Sequence, residues 1–401
     1  MRILSPPRRT SISGATFSRN SEAIDSLGRI ALPGLPRLEY VAGVGWVTWV
    51  EEADVNLLTP NQASAETDAT GFAQVNSATL SQDIDEYKYG NASLKVVTSG
   101  STSAEGFAIN PVATVSASNV YTASVWLKGS GTVKLGIQER DSSSASIGYT
   151  YSSLITLSDV WVRHNVTRIF GLTGVYARLL VDTDSIQAIT FYADGLQLEQ
   201  KAYPTNFCLP GSPRAAESLT MPTAGLSVAE GTIEGIVEIT DVTKRQISGQ
   251  VQYICNIPGG VLSYGITLTH AYDSANWRLI TFNDSGTASS VLISDSLTLN
   301  GFYYYKIPWE ISEAKIEFWS LSTGTKVATG TLSTPNLPSA FGANGRLGSY
   351  NGSQYFANTR FGKHRLSNIA RTADPDFDNL MPNDANTVGI FDPTPVYNHL
   401  T

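Results

Sequence analysis

From Asn56 to about Pro210, and again from Gly231 to about Ala328, short runs that alternate apolar and polar residues recur between turn-forming residues. A period of two puts successive side chains on opposite faces of a strand, so each run can bury one face and wet the other. Such runs, repeated at the spacing of hairpin-connected strands, specify an all-β chain of sandwich type. The first series includes Ala92–Val97, Tyr121–Leu127, Thr132–Ile137, Val160–His164, Ala177–Val181 and Ala188–Tyr192. The second includes Gly231–Ile239, Tyr264–Leu268, Trp277–Phe282, Phe302–Ile307, Ala314–Trp319 and Thr325–Ala328.

At 401 residues the chain exceeds what one hydrophobic core usually serves, and Pro210-Gly-Ser-Pro213 is a natural linker. The expected organisation is one jelly-roll β-sandwich over 55–210, a second β-sandwich over 211–385, and a tail over 386–401, disordered or wrapped on a neighbour. Residues 1–54 show no sustained period and are broken by Pro6-Pro7, Pro33-Gly34 and Pro36. They are expected to form an extended N-terminal attachment segment. Six arginines against three acids give residues 1–40 a charge of +3 within a chain of net charge −8. That asymmetry suits docking on an acidic surface or a merely solvated arm. Arg8, Arg9, Arg19, Trp46 and Trp49 are the candidate attachment residues, the tryptophans packing on the next domain or on a neighbouring subunit. Deleting residues 1–40 is accordingly expected to leave two folded domains.

Charge bounds the partners. An acidic chain with a sequence pI of about 5.1 has no broad basic field to neutralise phosphates, so nucleic acid is not an expected partner. Only 15% of residues are charged, against roughly 25% in an average globular protein, and Ser, Thr, Gly and Asn fill the surface, as in β-rich extracellular or virion proteins. Cys208 and Cys255 fall in different expected domains and are not expected to pair. The first residues lack the apolar core of a secretory signal, and Val41–Val50 is too short and too broken by glycine to span a bilayer. A role outside the cell would then follow release by lysis, and the sequons at Asn91, Asn165 and Asn351 are chance matches in a Ser/Thr-rich chain.

Three stretches carry a resemblance. Tyr89-Gly-Asn-Ala-Ser-Leu-Lys95, the Trp126 and Trp161 strands and Asp194-Gly-Leu-Gln-Leu-Glu-Gln-Lys-Ala-Tyr-Pro-Thr-Asn-Phe207 resemble, in that order, the jelly-roll carbohydrate-binding modules of the family 4/9 type found in bacteriophage structural proteins. Thr16–Asn20, Pro36–Tyr40 and Glu51–Leu58 resemble the lead-in that phage tail and capsid-associated proteins carry before such a module. Gly345–Ser349, Tyr355–Gly362 and Leu366–Ala370 are similar to the closing segment of concanavalin A-like lectin sandwiches. The resemblance implies a virion structural protein of tail-fibre or decoration type, assembled in the host cytoplasm.

A sugar site needs aromatic faces and polar groups for hydroxyls. Tyr149 and Tyr151, two apart and so on one sheet face, are the candidates, with Gln138 and Arg140 nearby. Trp126 and Trp161 lie in apolar strands and read as core. Glu234 and Glu238 share a face, but their spacing departs from the Glu-x-Asp-x-x-Glu cluster of related hydrolases, so solvated strand positions are expected rather than acid and nucleophile. The histidines are scattered, and neither a nucleophile elbow nor a phosphate loop is present. No cofactor is expected beyond a structural Ca²⁺ on loop carboxylates such as Asp83, Asp85 or Asp194, of the kind jelly-roll modules hold. The expected function is non-enzymatic host-surface adhesion, with bacterial surface polysaccharide and other capsid, tail or baseplate proteins as partners and with a homo-oligomer, trimeric in a fibre. The alternatives are a purely architectural decoration or cement protein and, further off, an accessory protein of a polysaccharide hydrolase.

Overall fold

The computed structural model describes residues 15–24, 30–240, 251–271, 276–294, 297–350, 357–377 and 379–394. Their regular structure is all strand apart from one short helix at Pro60–Ala63, and they divide into two compact units. One unit comprises 21–24, 30 and 54–214, and the other 15–20, 31–53 and 215–394.

The first unit is a sandwich of two antiparallel sheets. One sheet runs Ser146–Tyr151, Thr132–Arg140, Tyr176–Thr183, Gly106–Ile109, Phe72–Val75, with two short strands attached. The other runs Val162–Ile169, Val120–Gly129, Thr190–Glu199, Ser93–Val97, Thr79–Asp83. Alternation explains the layering: Val133, Leu135 and Ile137 point inward from one sheet and meet Ala123, Val125, Phe191 and Leu196 in a continuous core. Burying each of the larger side chains stabilises the unit by roughly 1.5–3 kcal/mol. Asp54 and Arg214 close its neck with two reciprocal backbone hydrogen bonds of 2.9 Å.

The two expected core tryptophans of this unit are placed differently. Trp126 lies outside the main core, edge-on to Tyr89 at 6.2 Å, with Lys88 Nζ 4.4 Å from its ring centroid. Trp161 is half-buried just before Val162–Ile169, an edge strand in which only Val166 is buried. An edge strand has one neighbour, so its apolar run has less to pack against.

The second unit also encloses its core, around Trp277, Tyr305, Trp309, Phe318 and Phe361, between two sheets. The seven-stranded sheet begins with Thr16–Ser18 beside Ser218–Pro222. The eight-stranded sheet runs from Lys326–Leu332 through Glu313–Ser320, Gly301–Glu310, Glu230–Ile239 and Thr359–Ser367 to Gly45–Val50 and Leu38–Val41, with Thr387–Phe391 also on Thr359–Ser367.

Both ends of the chain therefore depart from expectation. Described residues of the supposed attachment segment supply strands to the second unit, and the supposed tail opens with a paired strand. The reason is electrostatic as well as apolar. Arg19, Arg37, Glu51 and Glu217 form a fully buried network: Glu217 accepts from Arg19 Nη1 at 2.7 Å and from Arg37 Nε and Nη2 at 2.9 and 2.5 Å, and Arg37 Nη2 also reaches Glu51 at 2.6 Å. Arg19 Nη2 also donates to the carbonyls of Ala31, Leu32 and Leu35, each at 3.0 Å. Burial works against the Arg37 charge, yet Glu217 and Glu51 outweigh it and raise the pKa. Arg19 is thus not an exposed docking residue. Trp49 donates to Glu39 at 2.9 Å and lies beneath Arg360, so it belongs to the second unit's sheet. Trp46 is half-buried against exposed Tyr40, with ring centroids 5.7 Å apart. Arg8 and Arg9 lie outside the described residues.

Glu234 and Glu238 are buried rather than solvated. Arg365 Nε donates to Glu234 at 2.6 Å, and Arg360 holds both oxygens of Glu238 at 2.7 and 2.5 Å. Cys208 and Cys255 are both free and buried, and burial pushes the Cys255 thiol up to about 12.

Candidate glycan-binding face

The strands Ser146–Tyr151, Thr132–Arg140 and Tyr176–Thr183 lie side by side in the first unit, and their register fixes which side chains share the outer face. Gln138 stands opposite Tyr149 and Arg178, Gly136 opposite Tyr151 and Leu180, and Lys134 opposite Asp182. Residues directly opposite in an antiparallel pair point the same way. The core takes Val133, Leu135 and Ile137, so Lys134, Gly136, Gln138 and Arg140 face outward with Tyr149 and Tyr151.

Local chemistry arranges the two tyrosines. Their rings are parallel within 5° at a centroid separation of 5.9 Å, and the residues are 48% and 40% exposed. Gly136 makes room for this: a Cβ there would sit 2.7 Å from the Tyr151 ring. The Tyr149 hydroxyl accepts from Gln138 Nε2 at 2.5 Å, and the Tyr151 hydroxyl donates to Asp182 at 3.3 Å. On the strands' other side, Glu139 accepts from Arg168 Nε and Nη2 at 2.9 and 2.5 Å and from the Gly171 N–H at 2.7 Å. Arg168 Nη1 in turn donates to Thr150 at 2.9 Å, which ties the tyrosine strand from below.

The charges on this face are uneven. Burial pushes Asp182 up to about 6, offset by the Tyr151 hydroxyl and Lys134, while Lys134 is ion-paired to Asp184. Burial and the neighbouring Asp182 raise the Tyr151 pKa. At the other end Arg140 and Arg178 are half-buried and close enough that Arg140, after burial, lowers the Arg178 pKa. Gln138 Oε1 and Arg140 Nε are buried without a hydrogen-bond partner among the described residues. A face with parallel rings, an unused amide oxygen and unpaired guanidinium N–H groups can stack on a sugar ring and bond its hydroxyls.

All four residues singled out for glycan contact, Tyr149, Tyr151, Gln138 and Arg140, lie on this one face. Gln138 is buried and already engaged through its amide nitrogen, so only its buried oxygen is left without a partner among the described residues. Sequence reasoning missed Arg178 and Asp182, although the alternation of Tyr176–Thr183 puts both on one face. The three metal candidates do not assemble: Asp83 accepts from the N–H groups of Asp85 and Glu86, each at 3.0 Å, and Asp85 is exposed. Asp194 accepts the N–H groups of Lys88, Tyr89 and Gly195 at 2.7, 2.8 and 2.6 Å, while burial pushes it up to about 7 against those donors. Among the described residues no group of three His, Cys, Asp or Glu could hold a metal ion, and no helix is long and apolar enough to cross a membrane.

The second unit has a cavity of about 210 Å³ lined by Glu234, Tyr304, Lys306, Arg365 and Arg371 among others. Its charges are largely spent on one another. Glu234 takes Arg365, Arg371 donates to Asp384 at 2.7 Å, and Lys306 donates to the Ala373 carbonyl at 2.5 Å.

No protein-family model and no curated protein matches the chain. Among solved structures, the CBM22-1 xylan-binding domain of Paenibacillus barcinonensis Xyn10C is 17% identical over 38% of this chain and 99% of that chain, with a TM-score of 0.31. The CBM22-1-CBM22-2 tandem domain of the same protein is 12% identical over 78% of this chain and 96% of that one, TM-score 0.31. The enzymatically active domain of tailspike protein 4 of bacteriophage CBA120 is 9% identical over 36% of this chain and 21% of that chain, TM-score 0.30. Likeness at this level adds nothing to what the strand order says about the fold.

Proposed function

We propose that the first unit binds a polysaccharide across its Tyr149–Tyr151 face, and that the chain serves as a non-enzymatic adhesion component of a phage particle, in several copies. The observation that supports binding is the parallel pair of half-exposed rings held over Gly136 beside polar groups that are not fully used. The placement in a virion, with other virion proteins as partners and bacterial surface polysaccharide as ligand, rests on the resemblance of the lead-in and of the carbohydrate-binding-module motifs that end at Phe207. Affinity per site is expected to be weak, and many copies raise avidity by roughly 10²–10⁴-fold without new contacts. Replacing Tyr149 and Tyr151 together with Ala tests the face: glycan or cell attachment should be lost while the melting transition of the unit barely moves. Retained attachment would put the site elsewhere.

The architectural reading has its own support. Val160, Ile169 and Leu172 are 60%, 76% and 88% exposed on and beside the edge strand Val162–Ile169, a surface suited to packing against a shell or tail protein. Attachment to particles that survives the tyrosine variant but fails when these three become Ser would favour it.

A further inference from the structure

We propose that the ligand of the Tyr149–Tyr151 face is an acidic glycan whose carboxylate or sulfate is held by Arg140 and Arg178. This rests on the preceding reading of the face and names its substrate class.

Both guanidinium groups project from the outer face of adjacent strands, flanking Gln138 and next to Tyr149. Neither forms an ion pair or a side-chain hydrogen bond among the described residues, and Arg140 Nε is buried with no acceptor. The nearby carboxylates are committed elsewhere. Glu139 points to the opposite side and is held by Arg168. Half-buried Asp141 turns back on its own loop, accepting from the Ser143 hydroxyl at 2.6 Å and from the N–H groups of Ser143 and Ala145, each at 2.9 Å; these bonds lower its pKa, and the Arg140 charge adds a smaller pull without a hydrogen bond between the two. Asp182 and Asp184 lie at the far end with Lys134.

Two like charges brought together and partly desolvated, with no carboxylate between them, are unfavourable in the free protein. An anion at that spot relieves the repulsion and fills the orphaned N–H, and guanidinium forks match the planar oxygens of a carboxylate or the tetrahedral oxygens of a sulfate. The chain as a whole is acidic, at a net charge of −8, so this positive end is a local feature and not part of a general anion-attracting field. Asp182 at the other end disfavours an acid group there, which gives the bound chain a direction: its charged residue at Arg140 and Arg178, a neutral ring on the tyrosines.

The test measures binding of the full chain to three oligosaccharide sets of equal length: a hexuronate oligomer, a sulfated galactan oligomer and a neutral glucan or xylan oligomer. Binding to at least one acidic set should be tenfold or more tighter than to the neutral set, and should weaken between ~0.05 and ~0.5 M NaCl. Arg140→Gln and Arg178→Gln should each lose roughly tenfold or more for the acidic set and cost the acidic set several-fold more than the neutral set, whose hydroxyls the same groups can bond. Arg178→Lys, which keeps the charge, guards against a folding artefact and should fall between. Preference for the hexuronate or for the sulfated oligomer identifies the source of the charge. Equal binding of acidic and neutral sets, unmoved by the arginine variants but lost in the Tyr149→Ala/Tyr151→Ala protein, overturns the acidic assignment and leaves the face standing. No binding to any set overturns both.

Discussion

Replacing Glu217 with Ala gives the sharpest test of how the N-terminal strands are held. The carboxylate accepts three bonds from Arg19 and Arg37 and a fourth from the Glu51 N–H at 3.1 Å, all in a region sealed from solvent. Its loss leaves two buried guanidiniums facing one carboxylate, and breaking a buried pair in this way costs about 3–5 kcal/mol. For a unit of this size each kcal/mol lowers the melting temperature by roughly 2–4 °C, so the transition of the second unit should fall by roughly 6–20 °C. Calorimetry gives the shift, and hydrogen exchange of the peptides covering Gly45–Val50 and Ser218–Pro222 should localise it, with peptides from Val120–Gly129 unchanged. Replacing Arg19, Arg37, Glu51 and Glu217 all by Met removes the charges in balance and should cost less than the single change. A Glu217→Ala protein that melts within ~3 °C of the parent would mean that water reaches these guanidiniums, and the buried network would be refuted.

Deleting residues 1–40 should abolish the second unit's cooperative transition, since it strips Glu51 and Glu217 of both arginines; circular dichroism and calorimetry would register this. The first unit should lose stability as pH rises from about 4 to 7. Asp182 and Asp194 ordinarily titrate near 3.8 and are raised to about 6 and about 7 in the fold, so the folded state binds protons that the unfolded chain releases. Burial and Asp54 raise Glu199 in the same direction. Glu105, lowered to about 2 against burial by donors from Thr102 and Ser99, acts oppositely, its contribution being lost as pH falls below its ordinary 4.5. A stability maximum near pH 4, followed by exchange of the Thr190–Glu199 amides, is the expected profile, and stability rising steadily from pH 5 to 8 would contradict it. Gly136→Val should displace the Tyr151 ring and weaken glycan attachment at least as much as Tyr151→Ala. Cys255 should resist thiol reagents until the second unit unfolds, as labelling in a denaturant series would show.

Local periodicity made the strands legible. Runs such as Gly231–Ile239 and Ala314–Trp319 reappear as Glu230–Ile239 and Glu313–Ser320, because alternation dictates which side is buried. What it could not assign is pairing across long stretches of chain. Nothing near Trp49 announces that its strand lies beside Thr359–Ser367, and nothing near Arg19 points to Glu217, 198 residues away. The lead-in motifs around Arg19, Arg37 and Glu51 looked like attachment features because their partner lay in a distant segment. The same limit hid Arg178: the turn linking Thr132–Arg140 to Ser146–Tyr151 is short enough to read, whereas the neighbour on the other side, Tyr176–Thr183, joins through register alone. Glu234 and Glu238 read as wetted because the covering arginines, Arg365 and Arg360, come from a strand more than a hundred residues later in the chain.

The two backbone bonds between Asp54 and Arg214 have a temporal consequence. They close a loop containing the whole of the first sandwich, within a chain whose flanks build the second. During synthesis the first sandwich can complete itself as soon as Arg214 has emerged. The strands made before it must wait for distant partners: Leu38–Val41 and Gly45–Val50 can pair with each other at once, but Gly45–Val50 lacks Thr359–Ser367, and Glu39 meets Arg360 only across 321 residues. A ribosome that stalls anywhere between Arg214 and Arg360 therefore displays a finished domain carrying a pair of open strand edges, the species from which aggregation starts.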